Sequence, residues 1–141
     1  MIKKDFNIKN APNPVGAYPH SKRVGDLLFL SGIGPRSPKD NTVPGLKLDG
    51  DVKISYDFKA ECHSVFKNVK TVLEESGARW EDLIDVTVFL TNMQKDFSTF
   101  NSIYKEYFKN NKPCRTTIEI SSLPTPISIE LKCIAFIGEN K

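Results

Sequence analysis

From Ile129 to Ile137 every second residue is apolar. Ile129, Leu131, Cys133, Ala135 and Ile137 share one face, while Ser128, Glu130 and Lys132 begin the other. That period of two predicts a strand with one face on a core. Leu83 to Leu90 has the same period, with Ile84, Val86, Val88 and Leu90 on one side. In Pro113 to Ile120, Ile118 and Ile120 alternate with Arg115, Thr117 and Glu119, predicting a half-buried strand with the polar trio outward. Two short strand signals, Tyr18 to Val24 and Leu27 to Ser31, flank Gly25-Asp26, a two-residue hairpin turn. Leu27-Leu28-Phe29-Leu30 is apolar on both sides, as in a central strand or one covered by a partner subunit.

Helical spacing occurs twice. Asp57 can cap a helix running to about Ser76, with Gly77 just past its end; Phe58, Cys62, Val65, Phe66, Val69, Val72 and Leu73 form its apolar stripe. A second helix, capped by Asp96 or Ser98, carries Phe97, Phe100, Ile103, Tyr104, Tyr107 and Phe108, with Asn101 at the edge of that face. Residues 1–17 read as an extended, turn-rich arm, residues 39–53 as a surface excursion, and Leu123-Pro124-Thr125-Pro126 as a turn. The predicted order is β-β-α-β-α-β-β, an α+β class with both helices on one face of the sheet. Phe89, Ile134 and Phe136 lie on the other face, which predicts a covering subunit and sites at subunit boundaries.

Composition narrows the function. The 141 residues suit one domain, residues 1–141, and 39% apolar with 26% charged content is ordinary for a globular protein. No apolar run approaches the roughly 18 residues of a membrane span, and no signal peptide is visible, so a cytoplasmic protein with no membrane partner is expected. A net charge of +3 comes from dispersed lysines, which argues against nucleic acid and fits anionic metabolites. None of the three cysteines sits in a C-x-x-C pair; Cys62 and Cys133 fall on apolar faces, and Cys114, beside Arg115 but without a nearby base, reads as packing. His20 and His63 alone do not make a zinc site, so no metal is expected, and His63 reads as structural.

Candidate chemistry rests on Arg115 and Glu130. If their strands are neighbours, a guanidinium and a carboxylate lie on one side of one sheet. A guanidinium grips a carboxylate bidentately and a carboxyl group moves protons, which suits acid–base work on a small anion. A plain cross-strand ion pair is the competing reading. After the Leu27 strand, Ser31-Gly32-Ile33-Gly34-Pro35-Arg36-Ser37-Pro38 forms a shaped loop in which the backbone can approach a ligand closely. It lacks the Gly-Lys-Ser/Thr of a phosphate loop.

Several stretches together resemble the Rid/YjgF enamine/imine deaminases over nearly the whole chain. They are Ala11-Pro12 with Gly16-Ala17-Tyr18, Phe29-Leu30-Ser31-Gly32, Asn68-Val69-Lys70, Val86-Thr87-Val88-Phe89-Leu90, Phe100-Asn101-x-x-Tyr104, Arg115-Thr116-Thr117-Ile118-Glu119-Ile120, Leu123-Pro124, and Ile129-Glu130-Leu131-Lys132-Cys133-Ile134-Ala135. The resemblance implies a chorismate-mutase-like (YjgF) α+β fold and a homotrimer with clefts between subunits. It also implies hydrolysis of 2-enamine/2-imine carboxylates to 2-oxo acids and ammonia, without metal or organic cofactor. By motif, Arg115 would hold the substrate carboxylate, Glu130 would orient or activate water, and Tyr18, Ser31 and Asn101 would line the pocket. Thr117 stands where the family often has cysteine, which removes any thiol role there. Gly16-Ala17-Tyr18-Pro19-His20, the Ser31–Pro38 loop and Arg115-Thr116-Thr117 resemble the 2-aminomuconate deaminase branch. For such a dicarboxylate, Arg36 or His20 would be the second cation; the alternatives are a solvated loop residue for Arg36 and a loop hydrogen bond for His20. A broad-specificity 2-iminobutanoate/2-aminoacrylate deaminase and a non-catalytic trimeric ligand-binding protein remain the rival functions, and some relatives are described as ribonucleases.

Overall fold

Helix α1 (Phe58–Glu75) begins where Asp57 accepts a hydrogen bond from the Ala60 N–H at 3.0 Å, and it ends at Gly77, whose φ of 87° stops the helical path. Its stripe of Cys62, Val65, Phe66, Val69, Val72 and Leu73 is fully buried against the sheet. In this computed structural model, residues 1–138 are described. Strands β1 (Lys3–Phe6), β2 (Ser21–Val24), β3 (Leu27–Leu30), β6 (Leu83–Leu90), β7 (Cys114–Glu119) and β8 (Ile129–Phe136) form one sheet in the order β1-β2-β3-β8-β6-β7. All neighbours are antiparallel except β6 and β7, which run parallel and are joined by helix α2 (Met93–Tyr107), the crossover that a parallel pair requires. A short hairpin, β4 (Lys47–Asp49) and β5 (Val52–Ser55), stands apart from the sheet. Both long helices cover one face; Leu28, Leu30, Val86, Val88, Leu90, Ile129, Leu131, Cys133 and Ala135 fill the layer between. The expected two-helix, one-face α+β architecture is therefore present.

Several expectations need correction. The N-terminal arm contains β1, a charged edge strand that no apolar alternation announces, and β2 starts at Ser21, not Tyr18. The excursion at 39–53 holds most of the β4–β5 hairpin. Helix α2 is capped by Asn92, which accepts from the Lys95 N–H at 3.0 Å; Asp96 lies inside the helix, buried and accepting the Tyr56 hydroxyl at 2.6 Å. A bulge between Leu83 and Asp85 turns Leu83 inward and leaves Ile84 44% exposed, so Ile84 does not share the face of Val86.

The largest correction concerns β7. Arg115, Thr117 and Glu119 pair with Val86, Val88 and Leu90, so the polar trio faces the helices, and Ile118 lies on the open face, 39% exposed. Strand β6 separates β7 from β8, and Glu130 pairs with Phe89 on that open face. Arg115 and Glu130 therefore lie on opposite sides of the sheet, not on one side of adjacent strands. Alternation identifies two faces but not which one a neighbouring helix covers. Phe136 is 50% exposed, and Phe29, Phe89 and Ile134 are only half-buried, on the helix-free face.

Candidate active site

The first cluster is built where the chain leaves β3. Ile33 and Leu131 exchange backbone hydrogen bonds of 2.8 and 2.9 Å, clamping the loop along β8 beside Glu130. From α1, the buried Asn68 amide donates to the Gly34 and Arg36 carbonyls, both at 2.9 Å, and the Ser64 hydroxyl donates to Pro35 O at 2.8 Å. The Ser31 hydroxyl donates to Pro19 O at 2.7 Å and ties the loop to the bend that carries Tyr18. The result is a cleft of about 350 Å³ whose walls include Tyr18, Ser31, Arg36, Glu130 and Lys132. That volume lies near the small end of ligand sites.

Glu130 is the unusual group in this cleft. Its carboxylate lies so close to the loop that a Cβ on Gly32 would sit 2.6 Å from Oε2. Only glycine allows that approach. Among the described residues the carboxylate has no hydrogen-bond or ion-pair partner, and burial pushes its pKa above the usual carboxylate value. A half-desolvated carboxyl group facing a cavity can take up and release a proton at a reacting atom.

The two other candidates on this side behave differently. His20 Nδ1 accepts from the Ile8 N–H at 2.8 Å, so Nε2 carries the proton and donates to Pro12 O at 2.8 Å. Both nitrogens thus hold the N-terminal arm, and none is left for a ligand; the loop hydrogen-bonding role is the one observed. Arg36 donates to Asn13 O at 2.7 Å and Asn41 Oδ1 at 3.1 Å while lining the cleft, so it is a tether as well as a cation.

The second cluster lies on the helix side, at the sheet edge. Arg115 donates to Asn101 Oδ1 at 2.9 Å, and its guanidinium carbon lies 4.7 Å from the Tyr104 ring centre and 5.5 Å from that of Phe100. Stacking and one hydrogen bond fix the plane of the fork while leaving other N–H groups available. A cleft of about 340 Å³ opens here, lined by Asn101, Tyr104, Lys105, Lys112 and Arg115 among others. The Thr117 and Tyr104 hydroxyls are buried nearby without partners among the described residues. Burial pushes the Tyr104 phenol up to about 12, with Arg115 pulling the other way. Tyr18, Ser31, Arg36 and Glu130 are thus brought together in one cluster, with His20 behind them. Arg115, Asn101 and Thr117 are brought together in the other.

Residues 8–137 match the family described as Endoribonuclease L-PSP. A RutC family protein of Saccharolobus solfataricus is 37% identical over 95% of this chain and 98% of its own length. A solved structure of a Rid-family protein from Yersinia pestis, described as being of unknown function, superposes with a TM-score of 0.83 at 29% identity, covering 96% of this chain and 100% of that one. This chain belongs to the Rid/YjgF family. Another Rid relative, TdcF of E. coli, was solved with bound serine; it is 28% identical, with a TM-score of 0.82 over 95% of this chain and 98% of that chain.

Within this Rid protein, sequence reasoning missed two residues at the first cluster. Asn68 was visible only as part of a motif, and its work of holding two loop carbonyls needed the loop's path. Lys132 was read as an outward strand residue; only the cleft reveals what it faces. Among the described residues, no group of three or more His, Cys, Asp or Glu gathers as a metal would require, and no helix is long and apolar enough to cross a membrane.

Proposed function

We propose that this Rid protein is a hydrolytic deaminase of 2-enamine/2-imine carboxylates, with 2-aminomuconate as its substrate, and that it works as a homotrimer whose sites combine Arg115 of one copy with Glu130 of the next. The observation that carries this reading is Glu130: an unpartnered carboxyl group, raised by burial, pressed against Gly32 in a cleft of metabolite size. The half-buried apolar groups on the open sheet face support a covering copy, and the opposite-face placement of Arg115 and Glu130 gives that copy a catalytic purpose. A serine-bound relative supports a small carboxylate ligand for the fold.

In this mechanism the Arg115 fork pairs with the C1 carboxylate and fixes the 2-amino group over the cleft. Protonation at C3 converts the enamine to an iminium, which is electrophilic at C2. Glu130 takes a proton from water as the oxygen adds to C2 and returns it to nitrogen as the C–N bond breaks; the hydroxyl proton lost as the carbonyl forms goes to solvent and balances the one added at C3. One water is consumed, and one 2-oxo acid and one ammonia are formed. Ammonia release from freshly generated 2-aminomuconate and from 2-aminoacrylate, with wild type and Arg115→Ala, tests the reading. Arg115→Ala is expected to lose about 100-fold or more in turnover, as when a charge-stabilising donor is removed. Normal turnover by Arg115→Ala would reject the assignment. Preference for 2-aminoacrylate would indicate the broad-specificity deaminase, and silence on both a binding protein.

A further inference from the structure

A 2-aminomuconate substrate carries a second carboxylate, and the cleft must meet it with a cation. His20 has both nitrogens committed to Ile8 N–H and Pro12 O. Arg36 spends one N–H on Asn13 O and another on Asn41 Oδ1, and these tethers set its direction. The cleft wall holds a second cation, Lys132, which lies on the same strand as Glu130. Its ammonium donates to the Leu30 carbonyl at 2.8 Å, which fixes its position and leaves two of its three N–H groups to give. Among the described residues it has no acidic partner.

The register sets the distance. Glu130 and Lys132 are two residues apart on β8 and so project on the same face, with Cα atoms about 6.7 Å apart. In a six-carbon chain, C2 and the far carboxyl carbon are separated by four bonds of about 1.5 Å each. With C2 at Glu130, the chain therefore has the reach to bring its far carboxylate to Lys132 in the same cleft wall. We infer that Lys132 is the specificity-determining cation of this cleft and selects 2-enamine substrates bearing a distal carboxylate over short monocarboxylates. This inference rests on the proposed deaminase reading for its reaction, but its binding half stands without it.

Two measurements separate the two claims. In turnover, Lys132→Met is expected to lower kcat/KM for 2-aminomuconate about 10-fold or more, mainly through KM, as loss of a charge-assisted hydrogen bond does. The same variant should leave 2-aminoacrylate turnover within about 3-fold, and Lys132→Arg should recover most of the dicarboxylate activity. In calorimetry, adipate should bind wild type about 10-fold more tightly than it binds Lys132→Met, while hexanoate should bind both alike. An equal loss on both substrates would overturn the inference, because Lys132 would then act only through Leu30 and the loop. An unchanged dicarboxylate preference would also overturn it. Should wild type turn over neither enamine, the deaminase reading falls, and the calorimetric pair alone decides Lys132.

Discussion

At position 32 a single methyl group would collide with the Glu130 carboxylate, since the Cβ would lie 2.6 Å from Oε2. A side-chain end can swing away, so the fold should survive the substitution while the carboxyl group leaves its place. On the proposed deaminase reading, Gly32→Ala is expected to lower turnover about 10-fold or more while leaving thermal unfolding nearly unchanged, because misplacing Glu130 would cost rate before stability. Turnover assays beside melting curves check this, and full activity in the variant would separate Glu130 from the chemistry. Arg115 and Glu130 stood out in the sequence as candidates because short motifs around each survive reading in one dimension. Their facing was not. Arg115 turns inward because the rings of Phe100 and Tyr104 supply a surface for its guanidinium. A residue so stacked is invisible to a rule that assigns charged side chains to solvent.

The junction between α1 and the start of β8 is made by a buried acid. Glu61 is fully enclosed; one carboxyl oxygen accepts the Ser128 N–H at 2.8 Å and the other has no partner among the described residues. Burial pushes this carboxyl group above its ordinary value, with the Ser128 hydrogen bonds opposing. A raised acid favours the folded state in its protonated form, so its contribution is present below the ordinary glutamate value of about 4.3 and is lost as pH rises through the folded value. Glu61→Gln keeps an oxygen for Ser128 and removes the titration. The variant should be more stable than wild type at pH 8, with the difference shrinking toward pH 4; melting curves across that range decide it. Elements of this kind were unevenly legible. Period and capping gave α1 correctly, since Asp57 and Gly77 punctuate an unbroken stripe. Asp49-Gly50 carried a hairpin signal that the polar composition around it obscured. The bulge at Ile84 left no trace, because one extra residue does not alter a pattern of alternating side chains until its partner strand is known.

Across the whole molecule, the two clusters lie on opposite faces of one sheet, so a reacting centre that uses both takes them from two copies. Mixing Arg115→Ala with Glu130→Gln tests this directly. Each variant alone should be nearly inactive. After subunit exchange in equal amounts, about a quarter of the wild-type activity should return, since each boundary of a closed ring draws its two halves independently. No recovery after proven exchange would place both groups in one chain's site or remove one of them from the reaction. The proposed ring had only surplus to announce it: Phe136, Phe89 and Ile134 on a helix-free face called for a cover without saying which residues a cover would deliver.

The separation of Arg115 from Glu130 by the thickness of a sheet also ties chemistry to abundance. If the proposed shared site holds, neither cluster in a lone newly made chain can complete the other, and such a chain is a poor catalyst however well it has folded. Below the concentration at which copies associate, specific activity should fade with dilution, and the rate would then measure how many neighbours a molecule has found.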